Sequence, residues 1–275
     1  MLLAIDVGNT ETVIGLFSPG DDATSDTGQA PRVPPEPVGL THHWRLTTVD
    51  DRTADVLALL VSQLFTLDGL DVTSVVTGIA VTSSVPRLTA SLRQMAQRWF
   101  DVPCLVLEPG VRSGMPILYD NPKEVGPDRI ANAIGAYDLY GGPCIVVDLG
   151  TATTFDAISA AGEYLGGAIA PGVAISMDAL FHHAAALRRV ELVEPRSVIG
   201  KSTVESIQSG ALYGYAEQVD GMCRRIMDEL GRCVVVATGG LADVVAPLSA
   251  RIEHREPWLT LHGLRLVYDR HHKGD

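Results

Sequence analysis

The chain has 275 residues, 46% of them hydrophobic, and carries 33 acidic against 21 basic side chains, a formal net charge of -12. That length suits two lobes of roughly 100 to 150 residues with buried cores. The acidic balance and the lack of a Lys/Arg-rich block argue against nucleic acid, whose binding needs many neutralised phosphates. No apolar run approaches the roughly 18 residues of a membrane span. The start, Met1 to Asp6, lacks the basic leader and cleavage site of a secretory signal. Cys104, Cys144, Cys223 and Cys233 are scattered without metal-ligand spacing, so reduced thiols and a cytoplasmic location are expected, with no membrane partner.

Residues 2–7 and 13–17 read as strands around a first turn, with a third strand at 43–48. Between them, 18–42 is rich in Pro, Gly and Asp and reads as a long mobile loop insertion. Helical spacing over Thr53 to Leu67 and the β-branched run Val75 to Val81 give a helix and a buried strand; Pro86 to Trp99 and Cys104 to Leu107 repeat the pair. Strands followed by alternating helix and strand indicate an α/β lobe with a mixed sheet, 1–124. A second lobe, 125–275, opens with Gly126-Pro127-Asp128-Arg129 ahead of a helix to Tyr140, proline being favoured at a first helical position. Strands at 144–149, 153–159 and 163–169 follow, then a helix after Gly172, a long helix from Thr203 to Leu230, the strand Cys233 to Ala237 and a helix from Leu241. The charged tail from Asp269 reads as disordered.

One short sequence is written twice. Ala4-Ile5-Asp6-Val7-Gly8-Asn9-Thr10-Glu11-Thr12 lines up, 142 positions on, with Val146-Val147-Asp148-Leu149-Gly150-Thr151-Ala152-Thr153-Thr154. In each copy a strand delivers a carboxylate to its end, glycine lets backbone approach a ligand, and the following amides and hydroxyls offer donors to phosphate oxygens. Asp6 and Asp148 are candidate metal ligands, because a carboxylate beside a phosphate turn repels a nucleotide unless a cation intervenes. A third element, Thr238-Gly239-Gly240-Leu241-Ala242, lies between strand and helix and offers glycine backbone where a flat base could rest.

That order resembles the actin, hexokinase and Hsp70-type superfamily, in which two ribonuclease H-like lobes grip ATP in a cleft between them. Tyr119-Asp120-Asn121-Pro122, Gly126 to Asn132, Asp148 to Asp156, Gly166 to Gly172 and Gly200-Lys201-Ser202-Thr203 make the resemblance narrower. Taken together they are similar to the type III pantothenate kinases over nearly the whole chain. The resemblance implies two lobes with mixed five-stranded sheets flanked by helices. It also implies phosphorylation of pantothenate by ATP, the first committed step towards coenzyme A. A cytoplasmic homodimer is implied, needing Mg2+ or another divalent ion and a monovalent cation, K+ or NH4+. By motif, Asp6, Val7, Gly8, Asn9, Thr10, Glu11, Thr12 and Val13 bind ATP phosphates and the divalent metal. Gly126, Pro127, Asp128 and Arg129 hold pantothenate, with Asp128 as proton acceptor. Asp148 takes the monovalent cation, Thr151 contacts ATP, and Tyr119 and Thr203 face the substrate. Position 127 departs from the alanine expected in many relatives, but proline fits a first helical turn.

The chemistry is consistent with these residues. Phosphoryl transfer needs in-line attack, charge neutralisation and a positioned nucleophile. A carboxylate in a first helical turn can accept a hydrogen bond from a primary hydroxyl, and with a pKa of about 3.9 it suits late proton transfer rather than prior deprotonation. Arg129 offers a planar fork to a substrate carboxylate. Asp156 reads as a structural hydrogen-bond partner, and the pairs His42-His43, His182-His183 and His271-His272 as solvated side chains. The helix near 172–187 and the helix face Ala211, Leu212, Tyr215 and Val219 fit a dimer surface or core packing equally. Alternatives are a non-catalytic regulatory relative, such as a transcription accessory factor, and a superfamily kinase or phosphatase acting on a sugar or polyphosphate.

Overall fold

The computed structural model describes residues 1–19, 37–184 and 187–272. The chain forms two compact units. The first comprises Met1–Pro116, Asp120–Gly135 and the chain from Trp258 onward; the second comprises Ile117–Tyr119 and Ala136–Pro257.

Unit 1 is built on β1 (Leu2–Val7), β2 (Glu11–Phe17), β3 (Leu40–Thr47), β4 (Gly78–Ser83) and β5 (Cys104–Val106), in the order β3-β2-β1-β4-β5. β1 and β3 each run antiparallel to β2 between them, and β4 and β5 lie parallel to β1. Side chains alternate across a strand. Leu3, Ile5, Val7, Ile14 and Leu16 therefore share one face, packed against α1 (Ala54–Leu67) and the stretch α3 (Pro86–Met95), which continues as a π-helical turn over Ala96–Phe100. Thr53 caps α1 by accepting from the Val56 amide at 3.4 Å. The other face carries Ala4, Asp6, Gly15 and Gly78 and is covered by the last helix, α8 (Leu259–His272). A methyl on Gly15 would meet Leu261 at 2.7 Å, and one on Gly78 would overlap Tyr268.

Unit 2 repeats the plan. Its strands are β6 (Cys144–Leu149), β7 (Ala152–Ile158), β8 (Tyr164–Pro171), β9 (Val234–Thr238) and β10 (His254–Arg255), ordered β10-β9-β6-β7-β8. Strand for strand, the directions match those of unit 1. Ile145, Val147, Leu149 and Phe155 face α5 (Val173–His183) and α6 (Thr203–Leu230). The expected two-sheet α/β architecture is present, and the duplication extends from nine residues to two whole sheets.

Several expectations are corrected. Strand β3 begins at Leu40, so residues 40–42 lie outside the loop insertion; Thr41, His43 and Arg45 are exposed on an outer strand, and that polar face hides the strand in the sequence. Residues 20–36 of the insertion lie outside the described residues. The short helix α2 (Val72–Val75) occupies the start of the run assigned to strand β4. The helix from Leu241 is only α7 (Ala242–Val245) and one 3-10 turn, because Pro247 interrupts continuation. Asp269–His272 is not disordered but the last turn of α8. That helix escapes notice because Gly263 sits at its centre, where a methyl would lie 1.9 Å from the Ala131 carbonyl oxygen. The same contact explains why residues 120–135 belong to unit 1: α4 (Pro127–Tyr140) packs its first half on α8 through Ala131, Asn132 and Gly135. The division expected at residue 125 therefore falls within unit 1.

The α6 face Ala211, Leu212 and Val219 is buried in the unit 2 core, which decides for core packing there. Cys104, Cys144, Cys223 and Cys233 are free thiols. Burial pushes Cys104 up to about 11 and Cys144 and Cys223 up to about 12, from an ordinary 9.0. Unfolded thiols thus lose their protons first as pH rises. Stability contributed by these groups is complete below pH 9 and is lost between pH 9 and about 12. Urea midpoints are expected to fall between pH 8 and pH 10.5, with the native thiols slow to react with a disulfide reagent until the chain unfolds. Fast native labelling would contradict this.

Candidate active site

The two repeated turns differ in register. Asp6 pairs with Val13 and Val7 with Thr12, whereas Asp148 pairs with Thr154 and Leu149 with Thr153. The turn in unit 1 is therefore one residue longer. Beyond the glycines, the spatial equivalents are Thr12 and Thr153, so the residue-for-residue alignment through the turn is corrected by one position. In both turns the glycine amide closes the hairpin: Gly8 N–H donates to Glu11 O at 2.9 Å, and Gly150 N–H to Ala152 O at 3.1 Å.

In unit 1, Asn9, Thr10 and Glu11 are exposed at the tip, while Val7 is in the core and can offer only its backbone. Thr12 is buried and shares a 2.9 Å hydrogen bond with the Thr48 hydroxyl. Val13 is half-buried beside Asp6 on the opposite face from Thr12. Glu11 accepts from Arg45 at 2.8 Å on the outer edge, a surface pair of little energetic weight. A cavity of about 530 Å³ opens beside the turn, lined by Asn9, Thr48, Val49, Asp50, Ser84, Val85 and Pro86.

Asp6 and Thr82 are in-register neighbours on β1 and β4, and the Thr82 hydroxyl is fully buried with no hydrogen-bond partner. A carboxylate beside an unsatisfied hydroxyl is an all-oxygen donor set, the kind a hard divalent ion and its water shell prefer. In unit 2, Asp148 stands in the same relation to Thr238. The turn there is gripped by glycine backbone. A methyl on Gly239 would lie 2.4 Å from Asp148 Oδ1 and 2.7 Å from the Leu149 backbone; one on Gly172 would lie 2.3 Å from Thr151 O and 2.5 Å from Gly150 O. The Asp148 carboxylate and the carbonyls of its turn are oxygen donors, the chemistry that suits a monovalent or other hard cation. Thr151 is exposed at the tip.

Thr153 faces the unit 2 core, fully buried, and its hydroxyl has no partner. Such a group costs about 1–3 kcal/mol. Thr153→Val is expected to raise unfolding stability by about 1 kcal/mol in urea with turnover retained; a loss of turnover would instead show that this hydroxyl meets a ligand.

Gly126 begins α4: its carbonyl accepts from Ile130 N–H at 3.1 Å, and Pro127 and Asp128 fill the first turn. A methyl on Gly126 would fall 2.4 Å from Asp128 Oδ1. The missing Cβ is what lets this carboxylate fold back over the helix start. Asp128 is half-buried and Arg129 is 8% exposed. One helical turn on, Asn132 is completely buried and accepts from Thr260 of α8 at 2.7 Å. Residues 6–13 and 126–129 thus belong to one unit.

Unit 2 holds Tyr119, Asp148, Thr151 and Thr203. The Tyr119 ring lies 6.4 Å from that of Tyr164, whose hydroxyl donates to Asp156 Oδ1 at 2.7 Å; Thr154 donates to Oδ2 at 3.2 Å. Asp156 is completely buried, so its observed contacts are those of a structural acceptor. Thr203 is exposed at the start of α6, where the N-cap Ser202 hydroxyl accepts from Glu205 N–H and the Glu205 carboxylate accepts from the Lys201 N–H just before the cap. Arg196 holds Glu205 from outside at 2.6 Å and, with the Lys201 amide, keeps its carboxyl below the usual range.

Among the described residues no group of three His, Cys, Asp or Glu is placed to hold a metal. His43 instead packs on Trp258 at 4.1 Å, and His271 and His272 meet backbone carbonyls at the end of α8. Sequence reasoning missed Thr48, Ser84 and Thr82, which lie at strand ends far from the motifs in the chain. No local pattern marks them.

Residues 2–225 match the family model described as Type III pantothenate kinase. A type III pantothenate kinase of Streptomyces coelicolor is 51% identical over 98% of both chains, and one from Anaeromyxobacter sp. is 52% identical over 98% of this chain and 99% of its own. Among solved structures, a Baf family protein of Campylobacter jejuni, described as a transcriptional activator, aligns with a TM-score of 0.58 at 18% identity, covering 98% and 99% of the two chains. The activator of 2-hydroxyisocaproyl-CoA dehydratase from Clostridium difficile, with bound ADPNP, aligns at 0.56 and 13% identity over 99% and 96%. These two likenesses concern the fold alone. With half its residues identical to such relatives over nearly its full length, and with both Asp-Gly turns and the Gly126–Arg129 helix start in place, the chain belongs to the type III pantothenate kinases, the ATP-dependent kinases of pantothenate in coenzyme A biosynthesis.

Proposed function

We propose that Asp128 orients the primary hydroxyl of pantothenate for in-line attack on the γ-phosphorus of ATP and accepts its proton late in the transfer. Residues 6–13 take the ATP phosphates, with Thr151 as a further contact, and Gly126, Arg129, Tyr119 and Thr203 hold the acceptor. Arg129 has the fork geometry that suits the pantothenate carboxylate. The observation that carries this reading is the helix start at Gly126, where the absent side chain leaves room for the Asp128 carboxylate.

Asp6, with Thr82 beside it, would hold the divalent ion, and Asp148, with the carbonyls of its turn, the monovalent ion K+ or NH4+. Bound there, such ions supply charge neutralisation to the phosphates. The remaining work belongs to the chain: backbone amides orient the phosphates, Arg129 fixes the acceptor, and Asp128 moves the proton.

A homodimer is part of the proposal. Ile169, Ile175, Val198, Ile199 and Val204 of unit 2 are 47–67% exposed, and exposed apolar side chains of this size favour a protein contact. We place the enzyme in the cytoplasm on its four free thiols, three of them buried; no helix among the described residues is long and apolar enough to cross a membrane.

Steady-state ADP release with ATP, Mg2+ and pantothenate, run in potassium and in sodium buffer, tests the reading. Pantothenate-dependent turnover that requires potassium or ammonium is expected. Turnover indifferent to the monovalent ion would remove the role given to Asp148. No pantothenate dependence in any salt would remove the acceptor assignment.

A further inference from the structure

The longer turn of unit 1 is braced by two hydroxyl residues that its counterpart does without. From the end of β3, Thr48 N–H donates to Thr10 O at 2.9 Å, and the Thr48 hydroxyl lies 2.9 Å from that of Thr12. From the end of β4, the amide and hydroxyl of Ser84 both donate to Val7 O, at 3.0 and 3.1 Å. The carbonyls on both flanks of the turn, together with Thr12, are thereby committed to the scaffold. Both braces also line the 530 Å³ cavity that Asn9 enters from the turn.

Unit 2 solves the same problem with backbone. There Gly172 N–H donates to Thr151 O at 3.2 Å and Leu241 N–H to Leu149 O at 3.1 Å, while Gly172 and Gly239 approach too closely for any side chain. Thr153, which occupies the place of Thr12, has no hydroxyl partner at all. The Thr12–Thr48 pair is thus specific to the unit 1 turn. It compensates for one extra residue, and hence for two more backbone dihedrals that would otherwise be free.

We infer that Thr48 is a positioning residue for ATP: through Thr10 and Thr12 it fixes the turn so that the donors of Asn9 and Thr10, exposed at its tip, meet the phosphates in one geometry. Ser84 performs the matching task on the other flank. The inference rests on the reading that residues 6–13 take the ATP phosphates. Neither Thr48 nor Ser84 need touch the nucleotide for this role, because transfer rates respond steeply to small misplacements of the reacting groups.

Thr48→Val keeps the amide and the β-branch and removes only the hydroxyl; Thr48→Ser keeps the hydroxyl. Purified full-length variants would be compared for kcat, the KM of ATP, the KM of pantothenate and the thermal midpoint, with Asn9→Asp as a probe of the turn itself. The expected result is a fall of about tenfold in kcat/KM for ATP in Thr48→Val, within the range for a lost hydrogen bond that orders a site. Serine should restore it to within about twofold on the same scale. A lowered thermal midpoint with unaltered kcat/KM for ATP in Thr48→Val would reduce Thr48 to a purely structural residue and overturn the inference, as would failure of Thr48→Ser to rescue. Asn9→Asp places a negative charge at the tip of the turn and should raise the KM of ATP strongly. If it does while Thr48→Val has no effect, only the positioning role fails. If Asn9→Asp leaves ATP kinetics unaltered, the phosphate-turn reading fails with it.

Discussion

Asp128→Asn is expected to lower kcat by about two orders of magnitude or more, the usual cost of losing an acid-base group, while ATP binding measured by calorimetry is retained. Asparagine preserves the volume and the helix start, so the loss would report charge and basicity rather than folding. The position favours a carboxylate for a physical reason: Asp128 sits in the first turn of α4, where unsatisfied amides and the helix dipole create positive potential. Gly126→Ala is the companion measurement. Its methyl would meet only Asp128 Oδ1 at 2.4 Å, the next nearest contacts being 3.6 and 3.7 Å. The carboxylate must swing away, yet no backbone is displaced. Turnover should therefore fall by about tenfold or more, as expected for a misplaced catalytic group, with the thermal midpoint nearly unchanged. Full activity in Asp128→Asn would overturn the role of base; full activity in Gly126→Ala would show that the carboxylate orientation seen here is not the productive one.

Gly172→Ala and Gly239→Ala are expected to be strongly damaging single-methyl changes at the unit 2 turn. At both sites the added carbon would press on backbone, which cannot rotate out of the way: Thr151 O and Gly150 O for Gly172, the Leu149 backbone for Gly239. Gly239 also has φ +92°, where a Cβ is strained. Overpacking of this kind costs about 1–3 kcal/mol, and backbone strain at Gly239 adds to it. Urea unfolding checks the stability, and ADP release checks the site. Because the turn they grip carries Asp148 and Thr151, turnover should fall further than stability alone explains. Gly240→Ala is the control, since a methyl there meets nothing within 4 Å; its urea midpoint should be unaltered. Equal tolerance of alanine at 172, 239 and 240 would refute the grip.

The features legible in the sequence are those that depend on near neighbours. Strand β1 and its duplicate β6 announce themselves as apolar runs ending in Asp, and α4 announces its start through Gly126-Pro127-Asp128. The capping residue Ser202 and the glycine at 231 likewise bound α6 where expected. Hydrophobic period and capping chemistry act over a few residues, so the chain order of elements can be read before any contact is known.

The remaining features were decided by contacts between residues far apart in the chain. The one-residue difference between the turns is invisible in an alignment of nine residues and appears only in the pairing of Val7 with Thr12 and Leu149 with Thr153. The final helix was obscured by Gly263, a poor helix residue by itself, whose purpose is the close crossing at Ala131. That crossing also places Asp128 in the same unit as the first Asp-x-Gly turn rather than the second. Thr48 and Ser84 look ordinary in sequence because their partners, Thr10, Thr12 and Val7, are brought to them only by sheet formation. By itself the sequence determined the order of elements, the duplicated turns and the candidate acid-base residue, since those follow from local pattern. Only the tertiary structure decided register, helix crossing and the bracing of the turns, because hydrogen bonds and steric exclusion between distant segments exist only once the sheets have formed.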